Sequence, residues 1–179
     1  MLNFDDKKFE EKTLAREEIF SGKIFHVVKD VVSLHDGQES FRELVFHNGG
    51  TAIAPVHNNK MILVGQYRKA LEKFIFEIPA GKLEKGEEKD PKAAALRELE
   101  EETGYLAQDL TEITAFYGTP GFSSEKTYVY FSSNLTKVEH PKPADDGEFL
   151  EQIEVTLSEA KKMIELEQIA DAKTIMAIW

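Results

Sequence analysis

Residues 90 to 105, DPKAAALRELEEETGY, can form little other than a helix with sharp ends. Asp90 is a preferred N-cap, and Pro91 suits the first helical position, where its missing N–H would have had no partner. Ala93, Ala94 and Ala95 are strong helix formers. Thr103-Gly104 supplies the stop, because glycine enters the left-handed conformation that ends helices without steric cost. The expected helix runs from 91 to 103, about three and a half turns.

Its charges are harder to account for. Glu98, Glu100, Glu101 and Glu102 are crowded onto this one short helix, and like charges one turn apart repel by roughly 0.2–0.5 kcal/mol per pair. At about 100° per residue, Glu98, Glu101 and Glu102 share an arc of roughly 100°. Glu100 points nearly opposite and is expected to be solvated, while Leu96 and Leu99 define a separate apolar stripe. Arg97, one turn before Glu101, can orient or partly neutralise it. An acidic run taken alone reads as a solvated helix face. The residues ahead of it favour another reading. An apolar strand, KFIFEIPAG, and the loop from Gly81 to Glu87 lead straight into the helix. A loop and helix that present convergent carboxylates and a free backbone carbonyl suit a hard cation such as Mg²⁺. That ion takes oxygen ligands and is held by a few carboxylates together with substrate phosphates. A cation opposite the crowded face would cancel the repulsion.

The remainder of the chain frames this unit. Apolar and polar residues alternate through KIFHVVKDVVSL and SFRELVFH, joined by Asp36-Gly37, a strong hairpin signal. TAIAPV and MILVGQYR flank His57-Asn58-Asn59, a second hairpin, and further strands are expected at ITAFYG and KTYVYFSSNL. The last third is helical, with a capping-box pattern from Thr156 to Glu159 and a further N-cap at Asp171. The stretch HPKPADDGEFLE, residues 140–151, is a long acidic loop of the kind that is often functional. The sum is a mixed sheet with helices packed on it.

A formal charge of −11 argues against nucleic-acid backbones and anionic membranes as partners. It does not oppose an anionic small molecule, since a bound divalent cation reverses the local sign. The chain has no cysteine, which removes disulfides, thiolate metal sites and a cysteine nucleophile. No stretch reads as a secretory signal or a membrane span, so a cytoplasmic protein is expected. The histidines, at 26, 35, 47, 57 and 140, show no ligand spacing.

The helix and its approach resemble the Nudix hydrolase box. Arg97-Glu98-Leu99-Glu100-Glu101-Glu102-Thr103-Gly104-Tyr105 matches its second half at every position, and Gly81 and Glu87 supply the first half. Nine residues, 88 to 96, separate Glu87 from Arg97, two more than the family pattern. The extra length falls before the N-cap, so it leaves the acidic face intact and puts the bracing of Arg97 by Glu87 in doubt. Three further pieces are similar to the ADP-ribose pyrophosphatase branch of the family. These are FEIPAG before the box, GTPGFSSE with Pro120 sixteen residues after Gly104, and DDGEFLE at 145–151.

That resemblance implies a Nudix-type α/β/α sandwich around a mixed β-sheet, an α+β fold, preceded by a small N-terminal antiparallel β region. The expected division is residues 1–45 for that region, exchanged between the subunits of a homodimer, and 46–179 for the hydrolase domain. It implies Mg²⁺, as two or three ions with Mn²⁺ a possible substitute, bound by the Ala80 carbonyl, Glu98 and Glu102. Glu101 would be a shared ligand or catalytic group. Glu148 would bind a further ion or activate water, with Asp146 as the alternative base. Arg68 would meet the diphosphate of a small nucleoside diphosphate substrate, and Pro120, Gly121 and Phe122 its sugar or base. Glu77 and, more weakly, Arg42 would position it. Each residue has a plainer role open to it: a surface ion pair for Arg68, packing for Phe122, a tight turn for Pro120-Gly121, and a solvated loop for Glu148. The implied reaction is hydrolysis of ADP-ribose to AMP and ribose 5-phosphate. Another nucleoside diphosphate derivative as substrate, or an ADP-ribose sensor without activity, are the alternatives.

Overall fold

The computed structural model describes residues 5–143, 147 and 149–179, which fall into two units. The first takes the chain up to Asn48 together with Thr119–Glu125. It is an antiparallel sheet of β1 (Lys12–Ser21), β2 (Phe25–Ser33) and β3 (Glu39–His47), in that order. Gly37, at φ 83°, makes the β2–β3 turn, and Asp36 accepts a hydrogen bond from the Gln38 N–H at 3.0 Å. Along β2, Val28, Asp30 and Val32 are buried, the period-2 pattern of a strand with one covered face. Asp30 is held by Arg16 through two bonds of 2.7 Å, and the guanidinium lowers its carboxyl below the ordinary aspartate value.

Strand β1 has no strand signature in the sequence. KTLAREEIFS mixes helix-favouring and apolar residues without alternation, and it is exposed along its whole length. The Thr119–Glu125 segment joins this unit beside β3. Val45 donates to the Phe122 carbonyl at 2.8 Å and accepts from the Ser124 N–H at 3.0 Å.

The second unit is Gly49–Gly118 with Lys126–Trp179. Its main sheet orders β12 (Glu151–Val155), β5 (Lys60–Arg68), β4 (Gly50–His57), β10 (Lys126–Ser132) and β9 (Thr111–Tyr117). β6 (Lys73–Glu77) pairs with β5, and β7 (Ala80–Lys82) with β4. β10 runs parallel to β4 and the other pairings are antiparallel, so the sheet is mixed. Asn58 and Asn59, both at positive φ, turn β4 into β5, as asparagine tolerates better than most residues. The expected single strand KFIFEIPAG is instead two, because Ile78-Pro79 leaves the β5 ladder and the Pro79 carbonyl accepts from Ile53 N–H at 2.9 Å. A short pair, β8 (Tyr105–Ala107) with β11 (Leu135–Lys137), stands apart.

Alternate residues of the central strands serve two cores. Ile53, Ile62 and Tyr130 pack with Ala95 and Leu99 of α1 (Pro91–Thr103). Ala52, Ala54, Leu63 and Val129 pack instead with Ala160 of α2 (Leu157–Glu165) and Ile178 of α3 (Ala172–Ile178). This unit is therefore an α/β/α sandwich. The caps follow the sequence reading: Asp90 accepts from Ala93 N–H, and Thr156 and Glu159 form the capping box.

Candidate active site

Strand β7 and helix α1 meet at the carboxylates. β7 is fixed to β4 by pairing Thr51 with Gly81 and Ala52 with Ala80. The start of α1 is tied to the same strand, because the buried Thr51 hydroxyl donates to the Pro91 carbonyl at 3.0 Å. The turn between them is short of regular structure until the 3-10 turn Glu87–Lys89, which absorbs the longer spacing ahead of Asp90.

The acidic face then closes onto β7. Glu102 accepts a hydrogen bond from the Ala80 N–H at 2.9 Å. Glu98 occupies the space beside Gly81 where a β-carbon would otherwise stand. Two carboxylates thus converge on one backbone step, Ala80–Gly81. Arg97 lies among their neighbours, with Nη1 2.9 Å from Glu98 and 2.8 Å from Glu101, and Nη2 3.5 Å from Glu87. The bracing by Glu87 is therefore present despite the longer loop, and Glu87 also accepts from the Glu84 N–H at 2.8 Å. Burial works against the charge on Arg97, but Glu98, Glu101 and Glu87 hold it protonated well above the ordinary arginine range.

One guanidinium serving three carboxylates offsets part of the repulsion and leaves the face acidic. Among the described residues, no group of three or more acidic or imidazole side chains stands ready around a common point. The convergence of Glu98 and Glu102 still fits Mg²⁺ in kind. That ion is typically held by one or two carboxylates, with waters and substrate phosphates completing its shell. Glu101 is drawn toward Arg97.

Glu100 departs from expectation. Its side chain is only 14% exposed and pairs with Lys142 at 3.1 Å. It lies outside the acidic face, as the helix geometry indicated, but it is not simply solvated.

Arg68 and Glu77 find each other. Arg68 donates through Nε to Oε1 at 2.6 Å and through Nη2 to Oε2 at 2.8 Å. Glu77 is buried. Burial alone would push its carboxyl up, yet Arg68 and Lys173 together hold it below the ordinary glutamate value. Arg68 stays protonated chiefly through Glu77, and Glu102 and Asp171 add to the effect through space. The guanidinium is thus within electrostatic reach of the acidic face. Its side chain is 43% exposed, and no hydrogen bond among the described residues uses Nη1.

Lys173 carries no motif in the sequence. It bonds Glu77 and, at 2.9 Å, Asp171. The only signal was the Asp171 cap two residues before it, and nothing in the chain order marks a partner 96 residues away.

Pro120, Gly121 and Phe122 belong to the first unit, where Phe122 and Ser123 donate to the Thr119 carbonyl in a tight turn. Phe122 is half exposed, so core packing does not explain it. Arg42, in the same unit, is engaged by Glu11, Ser40 and the Phe41 carbonyl. Glu148 and Asp146 lie outside the described residues.

Comparison with known proteins gives the arrangement a context. Residues 47–177 match the NUDIX domain family. The chain is 51% identical over 173 residues to the ADP-ribose pyrophosphatase of Bacillus subtilis (strain 168), covering 96% of this chain and 92% of that protein. It is 48% identical over the same shares to the methanol dehydrogenase activator of Bacillus methanolicus. A crystal structure of an ADP compounds hydrolase shares the fold, with TM-score 0.83 at 23% identity, over 94% of this chain and 90% of that one.

Proposed function

The chain belongs to the Nudix family, and from that premise we propose that it hydrolyses the diphosphate bond of ADP-ribose, with Mg²⁺, to AMP and ribose 5-phosphate. The observation that carries the reading is the convergence of Glu98 and Glu102 on Ala80–Gly81, within electrostatic reach of Arg68. The strong likeness to an ADP-ribose pyrophosphatase along nearly the whole chain supports the substrate.

A bound divalent cation neutralises the bridging phosphates and lowers the pKa of a coordinated water. Glu98, Glu102 and the Ala80 carbonyl would hold it, with Glu101, steered by Arg97, as a shared ligand or catalytic group. Arg68 binds the diphosphate through Nη1 while Glu77 fixes its other edge. Water adds to one phosphorus, the bridging P–O bond breaks, and the released oxygen leaves on the second phosphate. Glu148 takes the proton from that water, with Asp146 as the alternative. Pro120, Gly121 and Phe122 contact the sugar or base, with a weaker positioning role for Arg42. The same residues would hold two or three ions, with Mn²⁺ a possible substitute for Mg²⁺.

We propose also that the protein is a cytoplasmic homodimer. Residues 1–45 serve as its exchanged β region and 46–179 as its hydrolase domain. The length-wise exposure of β1, which includes Leu14, Ile19 and Phe20, supports an assembly role. Among the described residues, no helix is long and apolar enough to cross a membrane.

The test is AMP release from ADP-ribose with and without Mg²⁺, beside other ADP-sugars and GDP-mannose. Turnover that needs the metal and is fastest on ADP-ribose is expected. Preference for another substrate would move the specificity and keep the chemistry, whereas binding of ADP-ribose with no turnover under any metal would leave a sensor.

A further inference from the structure

Glu77 receives cations from two distant parts of the chain. Arg68, at the end of β5, grips both of its oxygens, and Lys173, in the first turn of α3, bonds Oε2 as well. Lys173 also bonds Asp171 Oδ2 at 2.9 Å. The same Oδ2 accepts from the Thr174 N–H at 3.2 Å and caps the helix. Thr174 in turn accepts a hydrogen bond from Ile78 N–H at 2.9 Å through its buried hydroxyl. The first turn of α3 therefore holds the chain at residues 77 and 78, with only Pro79 between them and Ala80–Gly81.

Two features exceed what a helix cap requires. Asp171 commits one oxygen to both Lys173 and the cap, and leaves Oδ1 buried with no hydrogen-bond partner among the described residues. The charges also alternate along Arg68, Glu77, Lys173 and Asp171, so the string is neutral as a whole and ends on a guanidinium. Buried Glu77 and the largely covered Lys173 and Asp171 compensate one another, and the 43% exposed Arg68 is the end that a ligand can meet. A carboxylate with one cation can turn with it. One gripped from two sides gives Arg68 a single orientation, the condition for placing a reacting group well.

We propose that Lys173 is a positioning residue for the diphosphate subsite: it locks Glu77, and Glu77 thereby locks Arg68. The inference rests on the reading of Arg68 as the diphosphate-binding group.

The experiment is a double-mutant cycle with Lys173→Met and Arg68→Met. ADP-ribose binding is measured by calorimetry in EDTA, and kcat and KM with Mg²⁺. Lys173→Met is expected to weaken binding and raise KM about tenfold, in line with the loss of a supporting partner, with kcat changed far less. In the Arg68→Met background it should change binding less than about twofold, because the group it positions is gone. Lys173→Arg keeps the cation and should restore most of the loss. If Lys173→Met does not fold, as judged by circular dichroism, Lys173→Gln replaces it and the same non-additivity is required. Effects that multiply across the cycle, or a Lys173→Met enzyme with wild-type KM, would overturn the proposal. Wild-type protein that binds ADP-ribose in EDTA but never cleaves it would sink the hydrolase reading alone, and the binding cycle would still judge Lys173. Wild-type protein that does not bind ADP-ribose overturns both.

Discussion

The Glu98 carboxylate fills the space that a β-carbon on Gly81 would need. Gly81 does not adopt the left-handed backbone that favours glycine, so this approach is what calls for it. The obstacle is the far end of a flexible side chain, which can swing aside. Gly81→Ala is therefore expected to fold, with Tm lowered by no more than about 2–4 °C, the shift of roughly 1 kcal/mol in a chain of this size. Its Mg²⁺-dependent turnover should fall about 100-fold or more, equivalent to roughly 2.7 kcal/mol of lost transition-state stabilisation. Full activity in this variant would show that the position of Glu98 does not matter.

Glu102 and Glu100 make a controlled contrast on the same helix. Glu102 meets the Ala80 N–H at 2.9 Å, whereas Glu100 pairs with Lys142. Glu102→Gln keeps an acceptor for Ala80 and loses only the charge, so it should fold normally and lose about 1000-fold in kcat at fixed Mg²⁺. Glu100→Gln should stay within about twofold of wild type, since it removes only a partly exposed ion pair. Steady-state rates of the two variants at saturating substrate decide the matter, and equal losses would remove the distinction between the faces.

Arg97 acts as an internal counter-ion for Glu87, Glu98 and Glu101. Arg97→Gln leaves three partly buried carboxylates without it. The expected loss in EDTA is about 1–3 kcal/mol, between the values for exposed and buried pairs. A divalent cation that binds the same face then has more repulsion to relieve. Mg²⁺ should consequently raise the Tm of Arg97→Gln more than that of wild type. Equal Mg²⁺-induced shifts, followed by scanning calorimetry, would separate the metal from this face.

What was legible in the sequence follows from how local each signal is. Cap chemistry is local, and Asp90, Gly104, Thr156 and Asp171 all stand where it placed them. Alternation marks β2 and β3, and the Asn58-Asn59 turn marks β4 and β5, for the same reason. Strand β1 was hidden because its residues favour helix and only the neighbouring β2 makes it a strand. The acidic face was legible as a face, but its seat against Ala80–Gly81 depends on β7 pairing with β4. Arg68 and Glu77 could each be singled out as chemistry-bearing, yet their mutual grip and its closure by Lys173 arise only when β5, β6 and α3 pack together. Likewise Glu100 read as solvated because Lys142 lies far along the chain.

Acid removes part of the protein's stability through Glu77. Glu77 in the folded protein has its carboxyl below the ordinary value of 4.5, since Arg68 and Lys173 outweigh the opposing effect of burial. The unfolded chain therefore binds this proton more readily than the folded one. The resulting stability is fully present above the unfolded value and is lost as pH falls through the folded one. Glu77→Gln cannot take part in that loss. It should be less stable than wild type at pH 7, where it leaves Arg68 and Lys173 without their shared carboxylate. The gap between the two proteins should narrow as pH is lowered below the ordinary glutamate value of 4.5 and through the depressed folded one. Urea midpoints across that range give the comparison directly. A gap that stays constant would mean that Glu77 has the same proton affinity folded and unfolded, and that its two cations do not hold it as a charge.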